Sequence, residues 1–288
     1  MPHKINYMLQ DSETNFLYLA DSLKKKKYAS FLNRFESVLK ENRTPFQYLL
    51  NTRDIWAIDY MPVQISENKF VQFQYNPDYL QTKTGLKTIS NVDRICKSIN
   101  LIPKKSTLVV DGGNITRSYD AVIMCDKVFK ENATQSEKEL IKLLKEDLEI
   151  EKLYFVPWDK HDITGHADGM VRFIDNNTVL INDYSKEKPE FQRAFRMALH
   201  NAGLDWVELP YDPYDNKPFT SAEGIYMNYL QMKQAIFVPV FNRKADEKAV
   251  KILEQVFMGH KIIPVESNEV AREGGILNCI TWNVKLLK

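Results

Sequence analysis

Two spacings of apolar residues alternate along the chain, and the alternation repeats. Phe16–Ala20 and Phe46–Leu50 are short apolar-rich runs and read as strands. Between them Phe31, Phe35, Val38 and Leu39 fall on one face of a helix over about residues 28–41. The order then returns. Thr107–Val110 and Val122–Cys125 read as strands, Ser136–Leu148 as a helix with Ser136 capping it before Glu139, and Leu153–Val156 as the next strand. Met170–Ile174 and Thr178–Ile181 flank Asp175-Asn176-Asn177, which is a hairpin pattern. Further on come a helix over Phe191–Ala202, strands at Asp205–Leu209, Tyr226–Met232 and Ala235–Val240, a helix over Ala245–Phe257, and a strand at Lys261–Val265. The run Ile276–Trp282 closes the chain. The unit is two or three strands and one helix, about five times over, which points to an α/β fold with a repeated unit. No linker or low-complexity tract interrupts it; Pro210–Pro218, rich in Pro and Asp, reads as a surface loop beside the site.

Composition narrows the partners. The 288 residues carry 39 basic and 38 acidic side chains, a net charge of +1, with 44% hydrophobic residues. That balance gives no electrostatic footprint for nucleic acid or an anionic membrane. No stretch approaches the ~20 apolar residues of a membrane span. Cys96, Cys125 and Cys279 form neither a C-x-x-C pair nor an even framework, and Met1–Tyr7 lacks the pattern of a leader. A reduced, cytoplasmic setting is the expectation.

Candidate chemistry sits beside glycines. Cys279 follows Gly274-Gly275-Ile276-Leu277-Asn278. A free cysteine is usually a small buried hydrophobe, and Cys96 and Cys125 are read that way, whereas the paired glycines mark Cys279 as a candidate nucleophile. His166 stands in Gly165-His166-Ala167-Asp168-Gly169, on a turn or strand start. On a strand His166 and Asp168 would share a face and point into one cavity; the plainer reading is a histidine satisfied by a carboxylate. With Cys279 they could also ligate a metal, but no second close Cys or His pair completes a zinc spacing, and no metal is expected. Asp59 and Asp111 close two strand-like runs. Asp59, three residues after Trp56, could hold a planar cation against an aromatic wall, or be an ordinary loop carboxylate. Asp111, before Gly112-Gly113, could be a turn aspartate or the group that orients a histidine. Asn228 could be a core-edge amide or a site residue. No phosphate-binding glycine motif is present.

Taken in order, these pieces resemble the agmatine deiminase and bacterial (Porphyromonas-type) peptidylarginine deiminase family, within the guanidine-modifying pentein enzymes. The matching stretches are Trp56-x-x-Asp59-x-x-Pro62, Asp111-Gly112-Gly113-Asn114, Gly165–Gly169 with Arg172-Phe173, Tyr226-Met227-Asn228-Tyr229, and Gly274-Gly275-x-x-x-Cys279-Ile280-Thr281. The resemblance implies one deiminase domain over 1–288, folded as a five-bladed α/β propeller with pseudo-fivefold symmetry and the site on its axis. It implies Cys279 as nucleophile, His166 as acid/base, Asp59 and Asp168 as guanidinium carboxylates, Asp111 as the holder of the histidine, and Trp56 and Asn228 as substrate contacts. It implies a small guanidino substrate and no cofactor, and is compatible with a homo-oligomer. Agmatine is the first substrate expected; free, peptidyl or methylated arginine, amidino transfer, and a catalytically silent binding protein are the alternatives. Ile58, where the family usually has Arg, and Asn278, where agmatine deiminases usually have His, depart from the pattern, and the N-terminal part is shorter than theirs.

Overall fold

The structure, a computed structural model, describes residues 7–160, 162–217 and 220–287. Met1–Asn6 of the leader reading, which include His3, as well as His161 and Pro218, lie outside the described residues.

The chain begins with β1 (Phe16–Ala20), α1 (Ala29–Glu41) and β2 (Phe46–Leu49), and β2 lies parallel to β1. A single helical turn, α2 (Ala57–Tyr60), leads to the antiparallel pair β3 (Val63–Ser66) and β4 (Lys69–Gln74), then α3 (Val92–Ser98) and β5 (Lys104–Val109), parallel to β4. Next come β6 (Thr116–Arg117), β7 (Ala121–Cys125), α4 (Lys127–Glu131), α5 (Glu137–Leu148) and β8 (Lys152–Val156). The fourth unit is β9 (Val171–Phe173), β10 (Thr178–Asn182), α6 (Pro189–Asn201) and β11 (Asp205–Leu209). The fifth is β12 (Leu230–Gln231), β13 (Ala235–Val240), α7 (Ala245–Val256) and β14 (Lys261–Glu266). After α8 (Asn268–Ala271), β15 (Thr281–Val284) returns antiparallel to β1.

Each of the five three-stranded sheets therefore has one plan: an antiparallel inner pair, a helical crossover, and a parallel outer strand. These are the blades of a five-bladed α/β propeller, and the last strand of the chain completes the first blade. The pattern follows from the sequence. Helix α5 buries Leu140, Leu144 and Leu148, four residues apart, and the Ser136 hydroxyl accepts the Glu139 N–H as its cap. The middle strand β7 is covered on both faces, so it is buried throughout and reads as an unbroken apolar run.

The inner strands differ. Gln64, Arg117, Arg172, Gln231 and Asn283 occupy corresponding places on β3, β6, β9, β12 and β15 and gather around Asp11 on the axis. Arg117 and Arg172 reach opposite oxygens of its carboxylate at 2.8 and 2.7 Å. Polar residues in two- to four-residue strands hide the strand signal. The sequence pattern accordingly misses β3 and β6; it also misses β4, where only Val71 and Phe73 are buried, and α3, whose apolar face is only Val92, Ile95 and Cys96. The strand expected over Tyr226–Met232 shrinks to Leu230–Gln231. Tyr226, Met227 and Asn228 are buried as a loop instead, because the Asn228 carbonyl and side chain are taken up by the segment that carries Cys279. Among the described residues no helix is long and apolar enough to cross a membrane.

Candidate active site

The chemistry-bearing residues lie on the connections between blades. The first connection carries Trp56 and Asp59, the second Asp111, the third His166 and Asp168, the fourth Asn228, and the fifth Asn278 and Cys279. Every junction contributes, which is how residues more than two hundred positions apart reach one place. Two local expectations are corrected. Asp59 sits within the helical turn α2 rather than at a strand end. His166 and Asp168 lie on a 3-10 turn, Ala167–Gly169 with His166 as its cap, rather than on a strand face. Gly165, at φ +65°, turns the chain into that 3-10 segment.

Trp56 is half-buried and the other groups are buried. His166 Nε2 is 2.9 Å from Asp111 Oδ2, and Nδ1 is 3.5 Å from Asp59 Oδ1. Asp111 Oδ2 also accepts the Tyr79 hydroxyl at 2.7 Å. Asp59 Oδ1 accepts the Gly113 N–H at 3.0 Å. Asp168 Oδ2 accepts the side-chain amides of Asn228 and Asn278 at 2.9 and 2.7 Å, and the Cys279 thiol lies 3.8 Å from it. The Cys279 N–H donates to Asn228 Oδ1 at 3.3 Å.

Two glycines of the motifs are explained by close approach. A methyl group at Gly113 would stand 2.6 Å from Asp59 Oδ1 and 2.7 Å from His166 Nδ1. At Gly275 it would stand 2.5 Å from the Trp56 ring and 3.1 Å from Cys279 Sγ. Any larger residue would enter the contact between the aromatic wall and the thiol.

Electrostatics set the chemistry. Burial raises the pKa of Asp59 well above the usual carboxylate range; His166 opposes the shift, while Asp111 and Asp168 add to it. Burial also raises Asp168, against His166 and the Asn278 hydrogen bond. Burial alone would lower His166, but the Asp59 charge and the Asp111 hydrogen bond outweigh it and push it up to about 10. Burial, then the Asp168 and Asp59 charges, pushes the Cys279 thiol well up. Three carboxyls face one imidazole and one thiol, so the cluster favours an added cation. A planar cation between Asp59 and Asp168 would meet two carboxylates, an aromatic wall and a sulfur. It would also relieve the carboxylate repulsion and favour the thiolate. Among the described residues no group of three or more His, Cys, Asp and Glu is arranged to hold a metal ion.

The structure thus brings together Trp56, Asp59, Asp111, His166, Asp168, Asn228 and Cys279. It keeps Cys96 and Cys125 buried in other blades, with burial pushing each thiol up to about 12. Ile58 lines a narrow axial cavity with Asp168, Asn278 and Arg172. Sequence reasoning marked Asn278 only as a departure, yet its amide holds Asp168. It missed Tyr79 and Asp162, whose carboxylate accepts the His166 N–H at 3.1 Å. Asp162, four residues before the histidine in a turn-rich stretch, could have been found; Tyr79 carries no local signal.

Known proteins share this architecture. The structure matches C. jejuni agmatine deiminase with a TM-score of 0.82 at 21% identity, over 98% of this chain and 97% of that one. It matches a cysteine-to-serine form of that enzyme with substrate bound with a TM-score of 0.79, over 98% of this chain and 97% of that one, again at 21% identity. By sequence it is 24% identical to the agmatine deiminase of Ectopseudomonas mendocina over 209 residues, 60% of this chain and 56% of that protein. The chain spans about 60% of the length of the curated relatives it matches. The family model of the Porphyromonas-type peptidyl-arginine deiminases matches residues 2–284, and the chain belongs to that family.

Proposed function

We propose that this protein is a guanidine deiminase, a hydrolase of C–N bonds, with agmatine as its substrate. The observation that carries the reading is the pair Asp59 and Asp168 beside the Cys279 thiol. Both are buried, both are raised in pKa, and among the described residues no Lys or Arg forms an ion pair with either. Burial of the thiol, the imidazole and both carboxylates favours a small guanidino compound that can be enclosed whole over an arginine displayed on a folded protein. Agmatine, a thin chain with a guanidinium at one end, suits that enclosure.

The geometry assigns a role to each group. Asp59 and Asp168 hold the guanidinium and set its carbon over Sγ. The bound cation favours ionisation of Cys279, whose thiolate attacks that carbon. His166 keeps Nε2 on Asp111, so Nδ1, on the Asp59 side, exchanges protons with the substrate. It protonates one nitrogen of the tetrahedral adduct, the C–N bond breaks, and ammonia leaves a thiouronium on Cys279. The imidazole, now neutral, takes a proton from water, which attacks the same carbon. The C–S bond then breaks, giving the ureido product and the thiolate. Asn228 and Asn278 hold Asp168 while charge passes through the site, and Trp56 stacks on the cation. Three free, buried cysteines suit a reducing, cytoplasmic setting, and the chain is read as one catalytic domain.

Ammonia release should be measured across agmatine, free arginine, methylated arginine and an arginine-containing peptide. Agmatine should give the highest kcat/KM, unchanged after extensive chelation. No ammonia from any of them, or activity lost to chelator and restored by zinc, would overturn the reading. A peptide preferred over agmatine would keep the chemistry and move the substrate.

A further inference from the structure

One buried cation lies close to the site without belonging to the proposed chemistry. Lys127, the first residue of α4, has only 1% of its side chain exposed. Its ammonium is surrounded by four oxygens: Asp78 Oδ1 at 2.9 Å, Glu131 Oε1 at 3.4 Å, and the carbonyls of Ile163 and Thr164 at 3.1 and 2.9 Å. It also lies over two rings, 4.8 Å from the centre of Tyr79 and 5.4 Å from that of Trp158. Taking an ammonium out of water is unfavourable by several kcal/mol unless it is well paired. This one is paired, and its partners share a feature.

Both sets of partners lead to His166. The carbonyls of Ile163 and Thr164 immediately precede Gly165-His166, so they fix the backbone from which the histidine projects. Tyr79 follows Asp78, and its hydroxyl donates to the same Asp111 oxygen that bonds His166 Nε2. The Tyr79 and His166 rings stand edge to face, 6.4 Å apart. One ammonium thus ties down the histidine's backbone on one side and the holder of its carboxylate on the other. Gly165 fits the same arrangement: a methyl there would stand 2.6 Å from Lys127 Cδ and 3.1 Å from the Trp158 indole nitrogen. The motif glycine lets the chain close over the lysine stem.

We propose that Lys127 and Tyr79 form a positioning unit for His166, Lys127 by locking the loop and Tyr79 by orienting Asp111. The role rests on the function proposed above for His166. In the proposed mechanism neither residue touches substrate. Loss of the unit should slow proton transfer while leaving substrate binding intact. Misplacing a catalytic group by about 1 Å can lower the rate on the order of a hundredfold.

The test uses the full chain and the variants Tyr79→Phe, Lys127→Met and Lys130→Met. Lys130 also pairs with Asp78, at 2.8 Å, but among the described residues makes no hydrogen bond to the histidine's loop, and serves as the control. The first readout needs no turnover. With nitrogen-15 histidine, the ring resonances of His166 are followed by NMR in the resting protein. Tyr79→Phe and Lys127→Met should shift them; Lys130→Met should not. In assays with agmatine, the first two should lower kcat about tenfold or more with KM within about twofold. They should also move the alkaline limb of the pH profile upward, because each removes positive character facing the His166–Asp111 pair. Unmoved His166 resonances in folded Tyr79→Phe overturn the proposal, whether or not Lys127→Met folds. Unchanged pH limbs with only a lower Tm overturn it too, since that is how a purely structural pair behaves. Failure of the deiminase reading would show separately, as no turnover by the wild type with the NMR shifts intact.

Discussion

The propeller axis carries two carboxylate clusters, and they are treated in opposite ways. At its centre Asp11 receives two guanidinium groups, from Arg117 and Arg172, and a side-chain amide from Asn283. Burial alone would raise its pKa, but the two arginines hold it below the usual range. At the site Asp59 and Asp168 are buried more deeply, receive no guanidinium among the described residues, and are raised. The fold therefore completes a carboxylate–guanidinium pair in one place and leaves its counterpart half built in the other. The first is a structural bond. The function proposed above makes the second a site for a guanidinium from outside.

The largest effect should come from breaking the finished cluster. Asp11→Asn keeps the shape but leaves Arg117 and Arg172 buried without their anion. Removing one partner of a buried ion pair destabilises by about 3–5 kcal/mol. Urea denaturation should show a loss of that order, with kcat/KM per folded molecule close to wild type. A loss well under about 1 kcal/mol would place the axial charges with ordinary surface pairs and end the contrast.

The unfinished cluster should respond in the other currency. Asp59→Asn and Asp168→Asn remove charge and keep shape. A carboxylate that meets a cation in a site without bulk water is worth about 2–5 kcal/mol, by analogy with buried charged pairs across interfaces, or tens- to thousands-fold in kcat/KM. The urea midpoint should hold or rise, because repulsion between unpaired carboxylates is relieved. Near-normal turnover in either variant would remove that residue from the site. A collapse in stability would make it a structural turn aspartate.

This contrast explains what the sequence could and could not reveal. The repeat, four of the five middle strands and four of the five crossover helices were legible, because apolar periodicity reports burial against a helix or sheet. Residues such as Leu140, Leu144 and Leu148 announce their face. Of the inner strands, β3 and β6 were not. Gln64 and Arg117 serve a polar axis inside the protein, and periodicity reads them as surface. The site was legible as motifs, because glycines next to Asp111, His166 and Cys279 mark places where chains nearly touch. Its supporting members were not. Tyr79 and Lys127 act across the junctions between blades, and nothing near them in sequence says that a histidine nearly ninety or forty residues onward depends on them.

The smallest expected effect is a pH dependence of opposite sign at the two clusters, bounded by the shift of a single carboxyl. An unfolded aspartate titrates near 3.9. Asp11 has a folded value below that, so its stabilisation is present above about pH 4 and is lost as the pH falls through the folded value. Asp168 has a folded value above it. The stability linked to its protonated form is present below about pH 4 and is lost as the pH rises through the folded value. Urea midpoints of wild type, Asp11→Asn and Asp168→Asn, measured between pH 3 and pH 7, separate the two. At pH 7 Asp11→Asn should lie below wild type and Asp168→Asn at or above it. On acidification both variants should converge on wild type, one from each side, because a protonated aspartate and an asparagine carry the same charge. Convergence from the same side would mean that Asp168, like Asp11, already has its counter-ion within the protein, and the site would then have no charge left to offer a guanidinium.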